Sequence, residues 1–295
     1  MTKLNHLAGI LGLSFLLGSC AHAQVWDKGL RKVEKAEMFQ SLAESQVILL
    51  GENHGFQTHR DQHMEILQNL RIRGFQVHVG LEFFYFPDQL LVDQYRNQTL
   101  SEFDFLKSIN WGSPSFDYYR DQASFPNPLN GEKTWALNAP RKLTSHVSKF
   151  GLNALNEELK ALMPPHFELG SLDYKKRFEQ AIGGGGHFSD PEVLNRYFAA
   201  QSIWDDTMAW NIQKVIAAYP NAKLVVIVGE FHTQYSGGLG DRLKARGVQQ
   251  VATVSQVNTQ DLSADQIQES IMPHPDYGPR AEDRKSTRLN SSHVD

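Results

Sequence analysis

The sequence is poor in the residues that staple or anchor a protein. Its 295 residues include a single cysteine, Cys20, so there is no intramolecular disulfide and no Cys-ligated zinc or iron–sulfur centre. After residue 17 no apolar run is long enough to cross a bilayer. An excess of charge is missing too: 29 Lys and Arg against 33 Asp and Glu leave a formal net charge of −4. That gives no broad electrostatic reason to bind nucleic acid or an anionic membrane surface, and no nucleic-acid partner is expected. The rest of the composition is that of a soluble globular protein able to bury one large core.

The lone cysteine is well placed to inform. Lys3 gives a basic start, Leu7 to Leu17 form a short apolar stretch, and Leu17-Gly18-Ser19-Cys20 follows. The stretch is too short and too abruptly ended for a spanning helix, and residues 1–19 read as a secretory signal. Leu-Gly-Ser-Cys resembles a bacterial lipobox, which makes Cys20 the lipidated first residue of the mature chain. Ala21-His22-Ala23, before Gln24, offers ordinary signal-peptidase cleavage as the alternative. The expected product is an exported bacterial lipoprotein at the periplasmic face or outer membrane, held to the membrane through its lipid anchor only.

Four short apolar runs end in turn residues: Val47–Leu50, Val77–Leu81, Trp135–Leu137 and Leu224–Val228. Such runs read as buried strands, and helical patterns lie between them. One helix is predicted from Thr58 to Arg73, stopped by Gly74, and another begins after Arg141. A long one opens at Ser189-Asp190-Pro191-Glu192, where Asp190 caps and Pro191 suits the first turn, and runs to Ala218. A helix near Leu239–Arg246 and a strand near Gln249–Val254 close the series. The alternation predicts an α/β fold over about residues 40–255, with a mainly parallel sheet flanked by helices. Residues 151–218 hold helical patterns and no convincing strand, so a helical insertion, or cap, is expected between the third and fourth strands. Residues 277–295 are polar and weakly patterned, and are expected to be disordered. Arg284 to Val294 resembles translated adaptor sequence, so this tail is read as non-native.

The chemistry collects in two turns of one design. Gly51-Glu52-Asn53-His54 and Gly229-Glu230-Phe231-His232 each follow an apolar run and set a carboxylate and an imidazole two residues apart. In extended backbone, residues i and i+2 share a side, so each turn is expected to aim its Glu and His together. Ligands of open parallel sheets bind beyond the carboxyl ends of the strands. Glu82, after Val77–Leu81, and Asn138, after Trp135–Leu137, fall at that same edge. Clustered carboxylates repel unless a cation, a ligand or a catalytic task offsets the cost. His59 and His63 lie i and i+4 on a helix, but Arg60 stands where H-E-x-x-H has its base, so that motif is rejected. Gln201, Trp204, Asp205 and Met208 share one face of the long helix. Gly183-Gly184-Gly185-Gly186-His187 lacks the lysine of a phosphate loop and reads as a cap loop, with His187 able to swing over a ligand.

Together Gly51-Glu52-Asn53-His54, His59, Gly80-Leu81-Glu82, Asn138 with Pro140-Arg141, Gln201 with Asp205-Asp206-Thr207-Met208-Ala209, and Gly229 with His232 resemble the ChaN-type haem-binding lipoproteins. That family belongs to a superfamily with Tiki proteases, TraB-like proteins and erythromycin esterases. The resemblance implies a haem-binding protein of iron acquisition, with a possible homodimer and a haem-uptake receptor as partners. It implies axial ligation by tyrosine or histidine, for which Tyr235 and His187 are the candidates. His59, Asn138, Arg141, Gln201 and Asp205 complete the cofactor set, with Tyr197, Phe198, Phe188 and Trp204 to sandwich a porphyrin. Glu230 is a departure, standing where the family more often has a small or neutral residue; an extra carboxylate favours a cation over a propionate-bearing porphyrin. The alternative is a hydrolase of the esterase type, with Glu52, His54, Glu82 and His232 as the catalytic set. Its water would be activated unaided or by a divalent zinc, manganese or iron ion on Glu52, His54, His232 and Glu230.

Overall fold

A computed structural model describes residues 24–27, 29–183, 190–235, 237–259, 261–281 and 287–291. The apolar runs become strands of one sheet: β1 (Gln24–Asp27), β2 (Lys32–Val33), β3 (Val47–Glu52), β4 (Val77–Tyr85), β5 (Thr134–Asn138), β6 (Lys223–Gly229), β7 (Val251–Asn258) and β8 (Thr287–Ser291). Their spatial order is β2-β1-β8-β7-β3-β6-β4-β5. Every neighbouring pair from β8 to β5 is parallel, and β1 runs antiparallel to both β8 and β2. The sheet is therefore mainly parallel, as its runs of Val, Ile and Leu require.

Successive residues of β3 show why. Ile48 and Leu50 pack on one face against Ile66, Leu67 and Leu70 of the helix Gln57–Ile72. Val47 and Leu49 pack on the other face against Met208, Ala209 and Ile212 of the helix Pro191–Ala218 and Leu239 and Leu243 of the helix Gly238–Ala245. A strand covered on both faces has no polar side to show water, and each buried aliphatic side chain contributes roughly 1.5–3 kcal/mol.

The expected stops operate where the sequence has them. The helix Gln57–Ile72 ends before Gly74, whose φ of 84° suits a residue without Cβ. Asp190 accepts from the Glu192 N–H at 2.8 Å and starts the long helix. Between β5 and β6 the helices Arg141–Phe150, Leu172–Gly183 and Pro191–Ala218 follow one another. Leu143 and Val147 of the first pack on Ala199, Ala200 and Ile203 of the last. Tyr174 and Phe178 of the middle helix cluster with Phe198 and lean on Phe231, at the end of β6.

One expectation changes. Within 277–295, read as disordered, β8 pairs with β7 and with β1. The open edge of β7 presents unpaired N–H and C=O groups, and a tail without packing preferences of its own can satisfy them through its main chain.

The chain visits β6 after β4 and β5, yet β6 lies between β3 and β4. The strand order therefore reverses beside β6, and such a reversal opens a crevice at the carboxyl ends of the strands.

Candidate functional site

The two turns meet across that crevice but differ in backbone. At the first, β3 runs one residue past Gly51 and ends at Glu52, and the turn that follows brings His54 back beside Glu52. The His54 Nδ1–H donates to Glu52 Oε1 at 2.9 Å. Glu52 is buried, and the buried Tyr119 hydroxyl donates to the same oxygen. Behind the turn, His59 Nδ1 accepts the Asn53 N–H at 3.1 Å, and Phe83 holds the His54 ring edge-on at 4.8 Å between centroids. The His54 side chain is still 38% exposed, and its Nε2 has no hydrogen-bond partner among the described residues. Burial opposes charge on His54, but the bond from Glu52 and the fields of Glu82 and Glu52 hold its pKa above the ordinary imidazole value.

At the second turn, β6 ends at Gly229 and the next three residues, Glu230–His232, wind into a single 3-10 turn. The i, i+2 rule for extended chain fails there, and the two side chains part. Glu230 Oε1 accepts from Ser255 Oγ at 2.6 Å and from Arg280 at 2.7 Å. His232 is held between two carboxylates, with Nδ1 2.6 Å from Asp205 Oδ1 and Nε2 3.3 Å from Glu82 Oε1. Burial alone would drive its proton off; Asp205 and Glu82 outweigh it and lift His232 to about 10. Glu82 moves the other way, to about 2: burial opposes its charge, but His232, His54 and the Gly229 N–H at 2.6 Å favour it. Tyr174 completes the array, its hydroxyl donating to Asp205 Oδ2 at 2.7 Å and accepting from Gln201 Nε2 at 3.0 Å. His232 is thus a buried imidazolium without a free lone pair.

The glycines explain each other. A Cβ on Gly51 would come within 2.3 Å of Thr233 Oγ1 and 3.3 Å of the Glu230 Cα, so the first turn must be bare for the second to pack on it. A Cβ on Gly229 would lie 3.0 Å from His54 Nε2 and 3.4 Å from Glu82 Oε2. The missing methyl leaves a small space beside the free nitrogen.

Two adjoining clefts open at this edge. One, of about 650 Å³, is lined by Glu52, His54, Phe178, Ile182, Gln201 and His232, among others. The second, of about 540 Å³, shares Phe178, Ile182 and Gln201 and adds Tyr85, Arg141, Ser145, Ser148, Tyr197 and Trp204. The structure thus brings together Glu52, His54, Glu82, His232, Gln201 and Asp205, with Arg141 on the neighbouring rim.

Other expected members are placed elsewhere. Tyr235 sits at a φ of 54°, its N–H donating to the Arg280 carbonyl and its ring set against His274 and Tyr277, outside the lining of both clefts. Asn138 turns its Oδ1 back to the Ala139 N–H and lines neither cleft. His59 is fully buried and pushed down to about 3 by burial and by His63, so it braces the turn from behind instead of facing a ligand. Phe198 belongs to the aromatic cluster under the helix Leu172–Gly183. His187, Phe188 and Cys20, with the signal region, lie outside the described residues.

The metal set Glu52, His54, His232 and Glu230 is also corrected. Arg280 and Ser255 hold the Glu230 carboxylate, the two His232 nitrogens face Asp205 and Glu82, and among the described residues no three His, Cys, Asp or Glu are arranged to hold a metal ion. The extra carboxylate of Glu230 is neutralised by Arg280, so it no longer argues for a cation. Sequence reading missed Tyr119, Tyr174, Ser255 and Arg280. Tyr174 and Phe178, one helical turn apart, carried a signal in their aromatic spacing; Tyr119 and Arg280 lie in segments without periodicity and carried none.

The family described as haem-binding uptake, Tiki superfamily, ChaN matches residues 38–243, well over half of the chain. The chain belongs to this family. The solved structure reporting cofacial haem binding to ChaN of Campylobacter jejuni is similar at a TM-score of 0.61 and 17% identity, over 90% of this chain and 96% of that one. That likeness shows a shared fold. An erythromycin esterase mutant in its open conformation aligns at 11% identity and a TM-score of 0.42, over 77% of this chain and 73% of its own. No curated protein sequence matches the chain.

Proposed function

We propose that this protein binds haem in the paired clefts at the carboxyl end of its sheet and serves haem or iron acquisition. The observation that carries the reading is the make-up of the clefts on a chain of the haem-binding family. Phe178, Ile182, Phe231 and Trp204 supply apolar and aromatic lining, and Arg141 with Ser145 and Ser148 supplies donors for propionates at the rim. Mostly apolar walls with a few convergent polar groups suit a large planar ligand with an acidic edge. The donor set fits as well, because a half-exposed imidazole with a free nitrogen opens into the same space. When bound, haem would supply the iron; the chain supplies the walls, the anionic surround and the propionate donors. The Campylobacter protein is reported to bind haem cofacially, which supports asking whether two copies of this chain associate when loaded. Titration with haemin tests the reading: a Soret band saturating at a fixed stoichiometry supports it, and an absorption equal to free haemin at micromolar concentration overturns it.

Export and lipidation at Cys20 belong to the same proposal and rest on the Leu-Gly-Ser-Cys sequence. Mass spectrometry of the mature N-terminus in a bacterial host tests them, with an unmodified chain starting at Gln24 as the contrary result.

One observation favours a second reading. His54, held by Glu52, and the imidazolium of His232 place a base and an electrophile in one cleft, the pair that metal-free ester or amide hydrolysis needs. Turnover of an ester or peptide panel that disappears in E52Q supports it, and no turnover removes it.

A further inference from the structure

We infer, on the haem-binding reading above, that the axial ligand of the iron is His54 through its Nε2, with Glu52 as its anionic support. The choice follows from where lone pairs remain. His232 has none, because Asp205 and Glu82 take both of its N–H groups. Tyr119 and Tyr174 are buried with their hydroxyls donated to Glu52 and Asp205. His59 and His63 are fully buried, and Tyr235 packs against His274 and Tyr277.

His54 differs from all of these. Its ring opens into the 650 Å³ cleft, its Nδ1–H is committed to Glu52 at 2.9 Å, and its Nε2 is left over. The bare Cα of Gly229 keeps open the space that a methyl group would occupy 3.0 Å from that nitrogen. A metal-binding imidazole characteristically donates its second N–H to a carboxylate, which fixes the tautomer and makes the ligating nitrogen more basic. Glu52 is itself fixed, buried and bonded by the Tyr119 hydroxyl, so the imidazole is aimed before any ligand arrives. The competing donors are Tyr85 and Tyr197 in the adjoining cleft; either would first have to lose its phenolic proton.

The test compares ferric haemin complexes of the wild type, H54A, E52Q, Y85F and Y197F by absorption, electron paramagnetic resonance and, after reduction, resonance Raman. The expected result is a histidine-type spectrum in the wild type and both tyrosine variants. H54A loses that signature and regains it on adding free imidazole, which fills the vacated position. E52Q keeps histidine ligation but shows a lowered iron–histidine stretching frequency and about 10- to 100-fold weaker binding. Circular dichroism checks that each variant folds, and if H54A does not, the E52Q frequency decides. A wild-type spectrum in H54A, with loss in Y85F or Y197F, overturns the assignment and leaves haem binding standing. No complex with the wild type overturns both.

Discussion

Two turns with the same Gly-Glu-x-His order, each leaving a buried parallel strand, reach opposite chemical states in one crevice. In the first, the strand runs on to Glu52 and the turn after it sets His54 beside it, with one nitrogen spent on the carboxylate. In the second, a 3-10 turn sends Glu230 to Arg280 and Ser255 and leaves His232 clamped by Asp205 and Glu82. The lesson is that a repeated motif fixes residue spacing but not direction, since direction depends on whether the strand continues past the glycine. The first turn leaves an imidazole facing the cleft, and the second holds a buried charge pair beside it.

The largest expected difference between the turns is in stability. D205N removes one side of a buried imidazolium and should cost about 3–5 kcal/mol in denaturant unfolding, whereas E52Q, bonded to a half-exposed histidine, should cost clearly less. Equal losses would break the contrast.

Next come the glycines. G51A drives a methyl into the buried Thr233 side chain and toward the Glu230 backbone, for an expected loss of about 1–3 kcal/mol. G229A meets the movable ring of His54, so it should cost less stability and instead disturb haemin binding. A G229A variant that unfolds like G51A while keeping wild-type haemin affinity would contradict the reciprocal packing.

Third is pH. His232 titrates at about 10 in the fold against an ordinary 6.5. Its raised value means the stabilisation is complete below about 6.5 and is lost as pH rises through 10. Wild-type unfolding midpoints should therefore fall between neutral pH and 10, and H232Q should show a shallower fall. A flat wild-type profile over that range would place no charge on His232.

The smallest expected effect is at low pH. Glu82, depressed to about 2, contributes stability that is present above its ordinary 4.5 and lost as pH falls through 2. E82Q should reduce the loss of stability over that interval.

Much of the fold was legible because parallel strands buried on both faces must be continuous apolar runs, and β3, β4, β5 and β6 are such runs. Helix ends at Gly74 and Asp190 were legible for local reasons of conformation and capping. The first turn could be read from its spacing. The second could not, because the 3-10 turn is set by contacts from far away: Arg280 and Ser255 draw Glu230 one way, and Asp205 and Glu82 draw His232 the other. The same long-range dependence hid Tyr119, whose hydroxyl bonds a carboxylate 67 residues earlier. Tyr235 looked like a ligand by its nearness in sequence to His232, but its left-handed backbone and the Arg280 carbonyl turn it toward the C-terminal segment.

The contrast between the turns is tested most directly by long-range proton–nitrogen NMR of the histidine rings at about pH 9, a unit below the value for His232. The expected spectrum gives His232 two protonated nitrogens, and gives His54 a protonated Nδ1 with an Nε2 whose signal moves when haemin is added. A bare nitrogen on His232, or a His54 Nε2 unmoved by saturating haemin, would contradict the account.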